Sequence, residues 1–174
     1  MKIGPKRDIM RSLGVVAAAL AIALSTTTSA SAHYVYENEE VWANADSSKC
    51  LYNYAEVSHG SRGGYTKSQA HTGQNTGPGG CIFPWVRPAG ELAAGYRYQK
   101  WDGAKWYTCR MLLSGDGVFS KTSTGIYTVS WDFGVAPPCG GGYYGTIGYS
   151  GTFYGGEWLA RDVPVWSGQH YIEP

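Results

Sequence analysis

The run Tyr96-Arg97-Tyr98-Gln99-Lys100-Trp101-Asp102-Gly103-Ala104-Lys105-Trp106-Tyr107-Thr108-Cys109-Arg110-Met111 decides how this chain folds. Tyr96, Tyr98 and Lys100 alternate with Arg97, Gln99 and Trp101, and after the Asp102-Gly103 step the extended pattern resumes at Trp106. Side chains on a strand alternate between faces, and an Asp-Gly step between two such runs supplies the backbone a tight hairpin needs. A hairpin is therefore expected between Ala94 and Ser114, with Cys109 on its return strand. Ile126–Trp131 and Leu51–Val57 read as further strands, rich in β-branched and aromatic residues. From Tyr143 to Ala160, glycines 145, 148, 151, 155 and 156 predict short strands broken at each glycine. His59–Gly64 and Gly73–Gly80 read as glycine-rich loops, and Pro137–Gly142 as a sharp turn. Many short strands with Gly/Pro punctuation favour one all-β domain, a small antiparallel sandwich or barrel, over any α/β fold.

The N-terminal end reads differently. Residues 1–14 carry Lys2, Lys6, Arg7 and Arg11 against Asp8, an apolar run follows from Val15 to Leu24, and Ala30-Ser31-Ala32 is a small-x-small step. Basic, apolar and small-residue segments in that order describe a secretory signal peptide, removed before His33. A membrane span needs about 20 apolar residues, roughly twice this run. The expectation is a secreted, extracellular protein with no membrane contact in its mature form.

From His33 onward there are 10 basic and 12 acidic residues, a net charge of −2 with neutral histidines. A nucleic-acid binder needs a basic surface to neutralise phosphates, so that class is not expected. All four cysteines, Cys50, Cys81, Cys109 and Cys139, lie in this part. An even count in an exported chain reads as two disulfides. Three pairings are open to four cysteines; sequential pairing is expected, because each bridge then closes a glycine-rich polar excursion of about thirty residues. By loop entropy each bridge would contribute about 3 kcal/mol. Such staples suit a chain with only 18 Leu, Ile and Val residues against 25 aromatics after position 32. Rings bury large areas but bring OH and NH groups that need partners.

No motif announces catalysis. His33, His59, His71 and His170 show neither H-E-x-x-H nor H-x-H spacing and no C-x-x-C is present, so neither a metal site nor a cysteine nucleophile is expected. Ser150 in Gly148-Tyr149-Ser150-Gly151-Thr152 fails G-x-S-x-G at its last position. His59 beside Ser58 reads as a polar loop residue, since a triad is defined in space rather than by sequence neighbours. Glu56, Glu91, Asp132 and Glu157 are scattered, with no spacing that would set two across a glycosidase cleft. Asp116 between two glycines reads as a turn acid before a calcium ligand. The chain is expected to be non-enzymatic and without a cofactor.

Residues 33–49 stand apart. They hold no Gly or Pro and mix Glu37, Glu39 and Glu40 with Tyr34, Tyr36 and Trp42. Two readings are open: a first strand or frayed end of the sheet, or an arm that adds to a partner's sheet or fills its cleft. The division adopted is a signal peptide over 1–32, a flexible N-terminal arm over 33–49, and a disulfide-stapled all-β domain over 50–174.

The segments Cys50–Lys67, Tyr98–Arg110, Pro137–Thr146 and Trp166–Tyr171 resemble small exported actinobacterial proteins with two disulfides. Size, leader and cysteine arrangement resemble the adaptor subunit of umbrella toxin particles, secreted antibacterial assemblies. That resemblance implies a non-enzymatic adaptor joining a helical-repeat toxin subunit to a lectin-bearing subunit of trypsin-like fold. It implies that the N-terminal segment lies in the second subunit's cleft, which would make His33, Tyr34, Val35, Tyr36, Glu37 and Trp42 partner-binding residues. The body would grip the repeat ring. A carbohydrate-binding module, with Trp85, Trp101, Trp106, Trp158 and Trp166 as stacking platforms, is the main competitor. A protease inhibitor presenting 59–64 or 73–80, and a secreted hydrolase, rank behind it.

Overall fold

A computed structural model describes residues 33–174 apart from 61–62, 76–80, 116–117 and 174. The leader, Asp116 and most of the second glycine-rich loop lie outside the described residues. In chain order the strands are β1 (His33–Ala43), β2 (Lys49–Gly60), β3 (Gly63–Gln74), β4 (Phe83–Pro84) and β5 (Leu92–Trp101). After them come β6 (Trp106–Leu112), β7 (Ile126–Gly134), β8 (Gly142–Tyr154), β9 (Glu157–Leu159) and β10 (Pro164–Ile172). They build two antiparallel sheets that pack face to face. Sheet 1 runs β1-β2-β3, with β7 and the short β4 sharing the far side of β3. Sheet 2 runs β10-β8-β5-β6, with β9 beside β10 on β8. This is the all-β sandwich expected from the sequence.

The deciding hairpin forms as read. Trp101 pairs with Trp106 across the turn. Gly103 takes φ +102°, and the Asp102 carboxylate accepts the main-chain N–H groups of Ala104 and Lys105 at 2.8 Å each. Cys109 sits on the return strand and bonds Cys139, while Cys50 bonds Cys81, so the pairing is sequential. Two disulfides are consistent with an extracellular protein, and among the described residues no helix is long and apolar enough to cross a membrane.

Two expectations are corrected. Glycines 145, 148 and 151 do not break the chain; all three lie inside the single strand β8. Each is a point of close approach. A Cβ at 145 would run into the Trp166 ring, one at 148 would meet Asn53 at 2.9 Å, and one at 151 would meet Arg161 at 2.5 Å. The real break is Gly155-Gly156, whose φ values of +65° and +94° form the β8–β9 turn. Likewise His59–Gly64 is no open loop, because β2 runs to Gly60 and β3 starts at Gly63.

Between the sheets, one half of the core is aromatic. Tyr98 stacks on Tyr144 at 5.0 Å and on Phe133 at 5.3 Å, beside Leu51, Leu92 and Ile172. The other half is a polar seam of small residues. Thr66 and Thr146 bond each other at 2.7 Å, Thr146 also donates to the Glu56 carbonyl at 2.8 Å, and Asn53 donates to the Gly148 carbonyl at 2.8 Å. These bonds join the sheets where aliphatic side chains are scarce, and they satisfy buried groups that would otherwise cost about 1–3 kcal/mol each. The seam is why Gly148 must lack a side chain.

The segment 33–49, expected as a flexible arm with a first strand of the sheet as the other reading, forms β1 and the turn after it. It pairs with β2 from His33↔His59 to Ala43↔Cys50, with a bulge at Val41. Alternation sends Val35 and Val41 inward as half-buried neighbours of the core, and this packing holds the segment on the sandwich.

Candidate functional site

Among the described residues β1 is an edge strand of sheet 1, so one row of its main-chain N–H and C=O groups has no strand partner there. Before the bulge at Val41, its even-numbered residues lie on the outer face of that sheet. Tyr34 is 60% exposed and Tyr36 51% exposed. Their rings form a row across three strands: Tyr34 stacks on Tyr36 at 5.7 Å, Tyr36 on Tyr54 at 5.4 Å, and Tyr54 on His71 at 6.5 Å.

A buried acid anchors this row. Glu56 on β2 is 3% exposed although it belongs to the outer face. Tyr54 and Tyr65 each donate a hydroxyl hydrogen bond to its carboxylate, and Lys67, opposite it on β3, closes an ion pair. Lys67 also lies over the rings of Tyr54 and Tyr65, at 5.0 and 5.5 Å. Burial pushes the Glu56 carboxyl up, but the bonds from Lys67, Tyr54 and Tyr65 outweigh it and hold the group below its ordinary value. The two phenols move the other way. Burial and the bond to Glu56 push Tyr65 up to about 12, and Tyr54 rises for the same reasons. Both phenols remain neutral donors at physiological pH, and their bonds to Glu56 hold Tyr54 and Tyr65 in place.

The predicted site residues divide between two faces. Tyr34 and Tyr36 point outward and His33 and Glu37 are exposed, whereas Val35 faces the core beside Gly168. The bulge turns Trp42 inward, where it meets Tyr154 edge-on at 5.7 Å. Glu37, Glu39 and Glu40 leave β1 acidic, with no Lys or Arg between His33 and Lys49. Two such edges repel one another, while a basic strand is favoured beside either.

The catalytic candidates do not converge. His59 stacks on Phe133 and its Nε2 lies 3.0 Å from the Val135 carbonyl. Glu91 pairs with Arg87, Asp132 and Glu157 are exposed, and the buried Ser150 hydroxyl has no partner among the described residues. Also among the described residues, no three His, Cys, Asp or Glu side chains gather as a metal would need.

On the outer face of sheet 2 three tryptophans meet. Trp101 lies 5.6 Å from Trp106, and Trp106 lies 4.8 Å from Trp166, inclined at 54° and 69°. Gln99, Ile147 and Pro164 complete a hollow of about 340 Å³ beside Trp106 and Trp166. Trp85 instead packs edge-on against Tyr154 under Arg87, and Trp158 packs with Phe119 and Phe153.

Tyr54, Tyr65 and Lys67 were missed in the sequence reading, and Glu56 was seen only as a scattered acid. A usable signal exists. Tyr54-x-Glu56 and Tyr65-x-Lys67 each place two side chains on one face of a strand, and a hairpin centred on residues 60–63 sets them opposite one another. The chain matches no family model, no curated protein and no solved structure.

Proposed function

We propose that this chain is an exported, non-enzymatic adaptor that docks a larger secreted protein through β1 and the tyrosine row beside it. One observation carries the reading: Tyr34 and Tyr36 stand exposed on an open edge strand and are stacked on Tyr54, which Glu56 holds in place. Rigid tyrosines lose little conformational freedom on binding, and Tyr is enriched among the residues that dominate interfaces. The edge offers main-chain hydrogen bonds to an extended partner segment, and the tyrosines offer side-chain selectivity. The sequence resemblance supplies the partners. They would be a subunit of trypsin-like fold with lectin modules at the N-terminal segment, and a helical-repeat toxin subunit at the body, within an extracellular antibacterial complex. Insertion of β1 into a cleft requires that it leave β2, and the edge can instead dock where it stands.

The test is co-purification from the culture medium of the native secretor with a C-terminal tag. Wild-type protein should bring down large exported partners, and Tyr34→Ser with Tyr36→Ser should lose one of them. Both rings are exposed, so the double variant should keep its fold. Equal recovery by both proteins would count against this surface.

A second reading rests on the tryptophan hollow. Its lining carries no charge, and indole rings beside a Gln amide suit the apolar face and hydroxyl rim of a neutral sugar. A glycan array read with wild type and Trp106→Ala separates this reading from the first.

A further inference from the structure

We propose that a second hollow on sheet 2 binds a small organic anion through Arg97 and Arg161. The hollow encloses about 330 Å³, near the lower end of the ~300–1,000 Å³ of ligand pockets. Its floor is made where sheet 2 lacks side chains: Ala93 pairs with Gly151, and Gly95 with Tyr149. Both glycines are points of close approach. A Cβ at 95 would meet the Leu112 carbonyl oxygen at 2.7 Å, and one at 151 would meet Arg161 Cγ at 2.5 Å.

Both arginines line this space. Among the described residues the ion pairs are Lys67–Glu56 and Arg87–Glu91, so neither guanidinium is ion-paired with a described residue, although Asp162 lines the same hollow. Nor does either side chain donate a hydrogen bond to a described residue, in contrast to Arg87, which bonds both Glu91 and the Phe153 carbonyl. Arg161 is held in position all the same. Its stem crosses Gly151, and its guanidinium lies 5.4 Å from the Phe119 ring and 5.1 Å from the Trp158 ring. A guanidinium stacked on rings uses its flat face and keeps its N–H fork for an acceptor. That fork and the guanidinium of Arg97, beside one cavity, match a carboxylate, sulfate or phosphate group, which arginine binds through paired N–H donors. Ala93, Leu113 and Val118 add apolar surface, so the anionic group is carried on a carbon skeleton about the size of a sugar acid. The site lies on the sheet opposite the tyrosine row and does not depend on the adaptor reading.

The experiment is a titration of the full chain with sodium glucuronate, glucose, sodium sulfate and sodium phosphate, followed by calorimetry and by NMR of the arginine side chains. Glucuronate should bind, glucose should not, and added salt should weaken the response. A stronger response to glucuronate than to sulfate or phosphate identifies a sugar-acid ligand. An equal response identifies the anionic group alone as what is recognised. Arg97→Gln should weaken binding by roughly 10- to 100-fold, the loss of a charged hydrogen bond. Arg161→Lys, which keeps the charge and removes the fork, should weaken it as well, with near-UV circular dichroism confirming that both variants fold. No response to any of the three anions, or unchanged glucuronate binding in Arg97→Gln, overturns the proposal.

Discussion

The two outer faces of the sandwich use aromatic residues in opposite ways. On sheet 1 the rings of Tyr34, Tyr36 and Tyr54 stack at 23° to one another, so each covers its neighbour's face, and the exposed Tyr34 and Tyr36 present edges and hydroxyls to solvent. On sheet 2 Trp101, Trp106 and Trp166 incline at 54° and 69°, and a hollow of about 340 Å³ opens beside the last two. The cause is local in both cases. Glu56 ties down Tyr54 of the row through its hydroxyl, whereas Gly145 opens the space into which Trp166 reaches. A surface of ring edges and hydroxyls is suited to a protein strand or loop; open ring faces around a hollow are suited to a small ligand.

Breaking the anchor of the first face should have the largest effect. Glu56→Ala leaves Lys67 and two phenols without their shared acceptor and should lower stability by about 3 kcal/mol, read as a shift of the urea midpoint. Crowding the second face comes next. Gly145→Ala forces the Trp166 ring aside and should cost about 1–3 kcal/mol, with a change in tryptophan fluorescence that Glu56→Ala does not share. The exposed rings themselves should matter for binding alone. Tyr34→Ser with Tyr36→Ser should change stability by no more than about 0.5 kcal/mol while removing a partner.

The smallest effect concerns pH. Burial lowers His71, helped by the Lys67 charge, and burial lowers His170, helped by His33 and His59, both from an ordinary 6.5. Glu56 is lowered from 4.5. All three bind protons more weakly in the folded chain than in the unfolded one, so acid favours unfolding. The histidine share is fully present above pH 6.5 and is lost as pH falls from there through the folded values. The Glu56 share is lost only below 4.5. His170→Gln should flatten the first phase of a stability-against-pH curve and leave the second, while Glu56→Gln should do the reverse.

Hairpins and cysteines were the most legible parts of this sequence, because Asp102-Gly103 and the even cysteine count carry local signals. Glycine was the least legible. At Gly155-Gly156 it marks a turn, as read, but at 145, 148 and 151 it marks another residue pressing on β8, and local sequence does not separate the two uses. The candidate site was only partly legible. Residues 33–49 stood out for lacking Gly and Pro and for mixing Glu with Tyr34, Tyr36 and Trp42, but sequence does not show that a one-residue bulge at Val41 turns Trp42 to the opposite face from the two tyrosines. Glu56 looked like one scattered acid among four, since its partners Tyr65 and Lys67 reach it only across the β2–β3 register.

Hydrogen exchange by mass spectrometry, on the full protein alone and in complex with its co-purified partner, tests the central claim most directly. If β1 is the docking edge, amides of residues 33–43 that lack a partner in sheet 1 should become protected in the complex. Tyr34→Ser with Tyr36→Ser should lower that protection. A complex that leaves 33–43 unchanged and protects other strands would contradict the assignment of β1 and its tyrosine row as the binding surface.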